Sequence, residues 1–198
     1  MSLEDIIARC LKVGINCLGI ADHNTFAGAL KMKEIAPFTI IPGEEILTLN
    51  GEVIGFFLSQ EIPGKLSMKD TIALIKAQGG LVCVPHPYDR LRYSLFKDQV
   101  VDDIMSQVDI IEGFNARSLS PGSSTKAMEL ARKYGKPASA GSDAHTLSEI
   151  GNAYIEMQDF KNKDEFLVSL SKGRICGSRS NPTAHLASTW NRLKKHWD

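Results

Sequence analysis

Apolar and polar positions alternate between two periods along the chain. Ile6, Ile7, Leu11 and Val13 recur at helical spacing behind Ser2 and Asp5, and Gly14 ends the run, so residues 2–13 read as a capped helix. A strand follows at 16–21, a short helix at 26–34 and a strand at 38–41. Residues 46–49 and 52–58 flank Asn50-Gly51, a pair suited to a tight hairpin turn with positive φ at both positions, which predicts an antiparallel excursion. Ser67 caps a helix to about Gln78, Gly79-Gly80 break it, and Leu81 to Val84 is rich in β-formers. Helices at 98–107, 125–134 and 163–171 then alternate with strands at 108–114, 137–140, 153–157 and 174–176. Such alternation implies mostly parallel strands with helical crossovers. Pattern alone leaves a closed barrel and an open sheet both available.

Polar residues of chemical interest cluster at the strand ends. Asp22-His23-Asn24 closes the first strand, Gly43-Glu44-Glu45 the second and Pro85-His86-Pro87 the strand after the hairpin. Phe114-Asn115 and Gly141-Ser142-Asp143-Ala144-His145 close the next two. In a parallel α/β barrel those C-terminal ends converge on one face, and in an open sheet they meet at the switch-point crevice. No G-x-G-x-x-G follows any strand, so an open dinucleotide-binding sheet lacks its phosphate cradle.

Composition narrows the classes. With 198 residues, 43% of them hydrophobic, a single domain with one sizeable core is expected. The 23 basic and 23 acidic side chains cancel, which excludes the broad electrostatic grip that long duplex nucleic acid requires. Apolar stretches such as Val53 to Leu58 are far shorter than the ~20 residues that span a bilayer, and the N-terminus shows no export signal. The scattered Cys10, Cys17, Cys83 and Cys176 form no C-x-x-C pair and read as reduced thiols of a cytoplasmic protein.

Histidine and carboxylate are ligands for Zn²⁺, Mn²⁺ or Fe²⁺, and a carboxylate can bridge two ions. Three of the five histidines, His23, His86 and His145, fall at strand ends, whereas His185 and His196 lie in the polar C-terminal segment and read as surface residues. Alternation along the strand points Glu44 and Glu45 oppositely.

The ordered motifs Ile20-Ala21-Asp22-His23-Asn24-Thr25, Pro42-Gly43-Glu44-Glu45, Val84-Pro85-His86-Pro87, Glu112-Gly113-Phe114-Asn115-Ala116-Arg117 and Gly141-Ser142-Asp143-Ala144-His145-Thr146 resemble those of the polymerase and histidinol phosphatase (PHP) family. The resemblance runs from about Leu3 to Met157, leaving 158–198 as a C-terminal helix and strand segment. It implies a distorted seven-stranded β/α barrel and two or three divalent ions that hydrolyse phosphate esters through activated water. By that resemblance His23 binds one ion, Glu45 bridges two as the family's Gly-x-Glu carboxylate, and His86, Asp143 and His145 hold ions and carry the catalytic work. Glu44 is then structural, and Asp22 either orients the ligands or caps its strand.

Two departures from the family pattern stand out. The opening strand with its His-x-His pair and the acidic or histidine ligand after it are missing, so fewer ions are expected here. Asn115 stands where many members carry histidine or cysteine, and its amide oxygen is a weaker zinc ligand. A late start codon, a trimmed N-terminus and a naturally degenerate member all account for the first departure.

Arg90, Arg92 and Arg117 follow two of the motifs, and Arg90 with Arg117 form the preferred clamp for a substrate phosphate. The run Trp190 to Trp197 is read as a terminal helix packed on the domain in preference to a nucleic-acid contact. The expected substrate is a small phosphorylated metabolite, a nucleotide or an oligonucleotide end. A non-catalytic binding module and a metal-dependent amide or C–N hydrolase remain as rivals. Coordination arithmetic predicts a metal-poor, weakly active chain, open to dimerisation through an unpaired strand edge. Restoring the residues encoded before Met1 is expected to raise metal content and turnover together; elemental analysis of the longer chain checks this.

Overall fold

The computed structural model describes residues 1–89, 103–118, 120 and 122–180. Helix α1 (Leu3–Val13) starts where the Ser2 hydroxyl accepts from the Asp5 N–H and stops at Gly14, whose N–H returns to the carbonyls of Cys10 and Leu11. The chain then runs β1 (Cys17–His23), α2 (Ala27–Ile35), β2 (Thr39–Thr48), β3 (Gly51–Phe56), α3 (Met68–Ala77), β4 (Leu81–Val84) and β5 (Ile110–Asn115). It continues through α4 (Ser123–Lys133), β6 (Ala138–Gly141), a 3₁₀ turn (Leu147–Glu149), β7 (Ala153–Glu156), α5 (Lys163–Ser171) and β8 (Arg174–Gly177).

Strands β1 to β6 form one six-stranded sheet in sequential order, curled into a half-barrel, and β7 pairs with β8 in a separate antiparallel ribbon. β1 and β2 are parallel, as are β4, β5 and β6, while β3 runs antiparallel to both neighbours. That single reversal is the excursion expected from the hairpin signal. Its turn is centred one residue earlier than Asn50-Gly51, because Thr48 pairs with Gly51 and leaves Leu49 and Asn50 as the loop. The Thr48 hydroxyl accepts from the Asn50 N–H at 3.1 Å and donates to the Gly51 carbonyl at 2.6 Å, so a side-chain turn replaces the positive-φ pair.

The two strands expected at 38–41 and 46–49 are one continuous strand. Pro42 to Glu45 looks like a break by composition, yet Glu44 is fully buried and its Oε2 accepts from the Ile62 N–H at 2.9 Å. A buried polar residue that is hydrogen-bonded is compatible with a strand interior.

The sheet separates two apolar layers. Ile46, Val53, Val82, Val84 and Ile111 face outward onto Ala29 of α2, Ile72 and Ile75 of α3, and Leu130 of α4. Ile41, Leu81, Cys83 and Ile110 face inward, where Phe166 and Leu170 of α5 close the concave side. The four cysteines are free, and burial raises the Cys83 thiol well above its ordinary value. Among the described residues no helix is long and apolar enough to cross a membrane.

The inward Phe56 ring lies over Gly43, where an added Cβ would stand 2.8 Å from Cδ1 of the ring and 2.7 Å from the Gly55 carbonyl oxygen. Backbone cannot yield as a flexible side chain can, so Gly43→Ala is expected to lower stability by about 1–3 kcal/mol, the usual cost of overpacking. Urea denaturation of the purified variant measures it.

Candidate metal centre

Strand alternation carries the same inward face from apolar to polar along each strand. On β2, Ile41 and Gly43 precede Glu45; on β1, Cys17 and Gly19 precede His23, which sits in register with Glu45. β3 runs the other way, so the start of that strand lies beside the end of β2, and Glu52 joins the same cluster. His86 follows β4, whose inward Cys83 pairs with Ile54 of β3.

These side chains meet. His86 Nε2 lies 3.1 Å from Glu45 Oε1 and 3.6 Å from Glu52 Oε2. His23 Nδ1 approaches the other oxygens of the same carboxylates, 3.6 Å from Glu45 and 3.9 Å from Glu52. One donor atom from each of His23, Glu45 and Glu52 lies within 4.8 Å of the other two. His86 is buried beneath them, whereas the His23 side chain is half exposed, which leaves an opening toward solvent.

Asp143 and His145 stand beside this group. The His23 and His145 rings are 6.2 Å apart between centroids. His145 Nδ1 is 2.9 Å from the Asp143 carbonyl oxygen; a carbonyl only accepts, so Nδ1 is the donor in this bond. Asp143 has φ of +49° and His86 +27°, conformations uncommon for residues with a side chain, though less so for Asp and His than for most.

Glu112 holds the His86 backbone. Its Oε2 accepts from the His86 backbone N–H at 2.7 Å and from Asn115 Nδ2 at 3.0 Å. Burial pushes its carboxyl up to about 7, against the pull of the nearby His86 and with a further push from Asp143. A bulge between Glu112 and Phe114 shifts the register of β5 on β6, and so brings residues three apart to the same cleft. Opposite, Gly141 leaves the space that Glu112 fills, since a Cβ there would stand 2.3 Å from Glu112 Oε1.

Do these residues suit a divalent ion? Glu45, Glu52 and Asp143 gather with the imidazoles of His23, His86 and His145, and carboxylates brought together in a cleft repel unless a cation joins them. Neighbouring donors around a tetrahedral ion with bonds of ~2.0–2.2 Å stand roughly 3.3–3.6 Å apart. The carboxylate–imidazole separations here, 3.1 to 3.9 Å, are of that size. The donor set fits.

Comparison with known proteins bears on the fold that carries this cleft. A family described as PHP-associated matches residues 121–175. PsfC from Pseudomonas syringae PB-5123 shares the fold with a TM-score of 0.69 over 96% of this chain and 88% of its own, at 16% identity. A two-domain protein from Bacteroides vulgatus containing a predicted PHP-like metal-dependent phosphoesterase gives a TM-score of 0.70 over 89% of this chain and 60% of its own, at 14% identity. The chain thus carries a PHP-associated segment and shares its fold with PHP-like proteins. Two uncharacterised proteins of Methanocaldococcus jannaschii are 43% identical over 153 residues and 39% identical over 116, spanning 76% and 57% of this chain. The matched region spans 61% and 66% of those relatives' own lengths.

Within this cleft, the structure gathers His23, Glu45, His86, Asp143 and His145 and turns Glu44 to the opposite face. Asn115 differs from its expected role as a ligand. Its Oδ1 accepts from the Arg117 N–H at 2.9 Å, and its Nδ2 bridges Glu112 and Asp143, the latter at 3.2 Å, so no amide oxygen is presented to the cluster. Arg117 differs too. Its side chain is 5% exposed and its Nη1 reaches Glu149 Oε1 at 2.7 Å, which commits the guanidinium to a buried ion pair instead of a substrate phosphate. Arg90, Arg92, the first half of the helix expected at 98–107, His185, His196 and the Trp190 to Trp197 run lie outside the described residues.

Two participants escaped the sequence reading. Glu52 had a signal: any two-residue turn at the hairpin, centred on either pair, puts Glu45 and Glu52 on one face. Glu112 had none, because its direction depends on the bulge. Glu52→Gln is expected to weaken Mn²⁺ and Zn²⁺ binding at least tenfold, and His86→Ala and Asp143→Ala to lower metal content, on the scale at which even outer-shell partners act. Calorimetric titration and elemental analysis measure these effects; unchanged binding in Glu52→Gln removes it from the donor set.

Proposed function

We propose that the chain is a metal-dependent phosphoesterase acting on a small phosphorylated metabolite, a nucleotide or an oligonucleotide end. The observation that carries this reading is the convergence of His23, Glu45, Glu52 and His86 with Asp143 and His145 at one end of a PHP-type half-barrel. The PHP-associated match and the fold shared with a predicted PHP-like metal-dependent phosphoesterase support phosphorus over carbon as the centre attacked.

Glu45, Glu52, His23 and His86 would hold divalent ions, with Asp143 and His145 completing the rim. When bound, such ions supply Lewis-acid chemistry: they lower the pKa of water and neutralise charge that develops on phosphoryl oxygens. The chain's own groups do the rest. Glu45 offers both oxygens, one toward His86 and one toward His23, which suits a carboxylate shared between two positions. His145, with Nδ1 tied to a carbonyl and its side chain 39% exposed, stands at the cleft mouth, where its Nε2 would complete an ion's donor set. Glu112 and Asn115 orient the strand ends, and α5 with the inward apolar layer keeps water from the far side of the cluster.

The test is release of phosphate from sugar phosphates, nucleotides and short oligonucleotide ends by protein loaded with Mn²⁺, Zn²⁺ or Fe²⁺, with cyclic amides assayed in parallel. Hydrolysis of at least one phosphate ester, lost with chelator and lowered about a hundredfold or more in Glu45→Gln, is the expected result. Turnover of amides alone, or of nothing in metal-loaded protein, would overturn the proposal.

A further inference from the structure

The turn carrying Asp143 and His145 rests on a carboxylate that never faces the cleft. Glu149 is 1% exposed. Its Oε2 accepts from the backbone N–H of His145 at 3.0 Å, the backbone N–H of Thr146 at 2.9 Å and the Thr146 hydroxyl at 2.9 Å. Arg117 Nη1 donates to both oxygens, at 2.7 and 3.0 Å. With these partners the carboxylate is fully engaged, and charge-assisted bonds of this kind are the strong ones.

The same network reaches the cluster by a second path. The Arg117 N–H donates to Asn115 Oδ1, and Asn115 Nδ2 donates to Asp143 Oδ2. From the other side, Arg9 of α1 donates to the Ile150 carbonyl at 3.3 Å, and an added Cβ on Gly151 would meet Val13 of α1 at 3.1 Å. Between these anchors, Asp143 holds a φ of +49°, uncommon for a residue with a side chain. The orientation of the His145 ring follows the backbone directly, because Nδ1 is bonded to the Asp143 carbonyl two residues back.

We propose that Glu149 is a positioning residue for the metal centre: by holding the N–H groups of His145 and Thr146 it keeps the His145 imidazole beside His23, and Arg117 anchors Glu149 in that role. This inference rests on the reading of the cleft as a divalent-metal site. It gives Arg117, expected at the substrate, a function one step removed from it.

The experiment is calorimetric titration of the full chain with Mn²⁺ and Zn²⁺, alongside thermal melts, for wild type, Glu149→Gln, His145→Ala and the double variant. Glu149→Gln is expected to weaken metal binding about tenfold or more. In the His145→Ala background the same change is expected to lose most of its effect, keeping only what passes through Arg117 and Asn115 to Asp143. Glu149→Asp keeps the charge opposite Arg117 while withdrawing the carboxylate by one methylene, and serves if Glu149→Gln does not fold; it should show the same dependence on His145. Equal affinity in wild type and the Glu149 variants, or losses that simply add to that of His145→Ala, would overturn the role of Glu149. A wild-type chain without affinity for either ion would instead overturn the metal-site reading itself.

Discussion

Carboxylates taken out of water around the cleft impose the constraint on which the rest of this structure depends. Glu44, Glu45, Glu112 and Glu149 are all buried, and an ionised carboxylate removed from water is costly unless donors or opposite charge replace its hydration. Each receives a different compensation. Glu44 takes an N–H from Ile62 and is pushed toward its neutral form by burial; Glu45 takes imidazoles; Glu112 takes the His86 N–H and the Asn115 amide; Glu149 takes Arg117 and two backbone N–H groups. Most of the loops that carry the candidate ligands are held by these bonds, so satisfying buried charge and shaping the cleft are one problem.

The apolar parts of the fold make that arrangement possible. The inward face of the sheet is divided along its length, with Ile41, Leu81, Cys83 and Ile110 sealed by Phe166 and Leu170 at one end and the acidic and imidazole side chains at the other. Sealing one end lowers the local dielectric behind the cluster, which strengthens each electrostatic contact in it and raises the benefit of a bound cation. The outer layer under α2, α3 and α4 fixes strand register, and register decides which side chains share a face. His86 and Asp143, both at positive φ, sit where these layers end and the strand-end loops begin.

Much of this was legible in local pattern, and for a physical reason: helical and strand periods, caps and turn residues are properties of neighbours in the chain. The spacing of Ile6, Ile7, Leu11 and Val13, the Ser2 and Ser67 caps and the opposed directions of Glu44 and Glu45 are all of this kind, as is the placing of His23, His86 and His145 at strand ends. What the amino-acid sequence could not decide were features set by a partner strand. The bulge of β5 on β6 turns Glu112 and Asn115 into one cleft. The burial of Arg117 against a glutamate 32 residues away makes a loop anchor of a residue that reads as a phosphate clamp. Local periodicity determined what each element is and which way its side chains alternate; only tertiary pairing, through register and burial, decided which of those side chains meet.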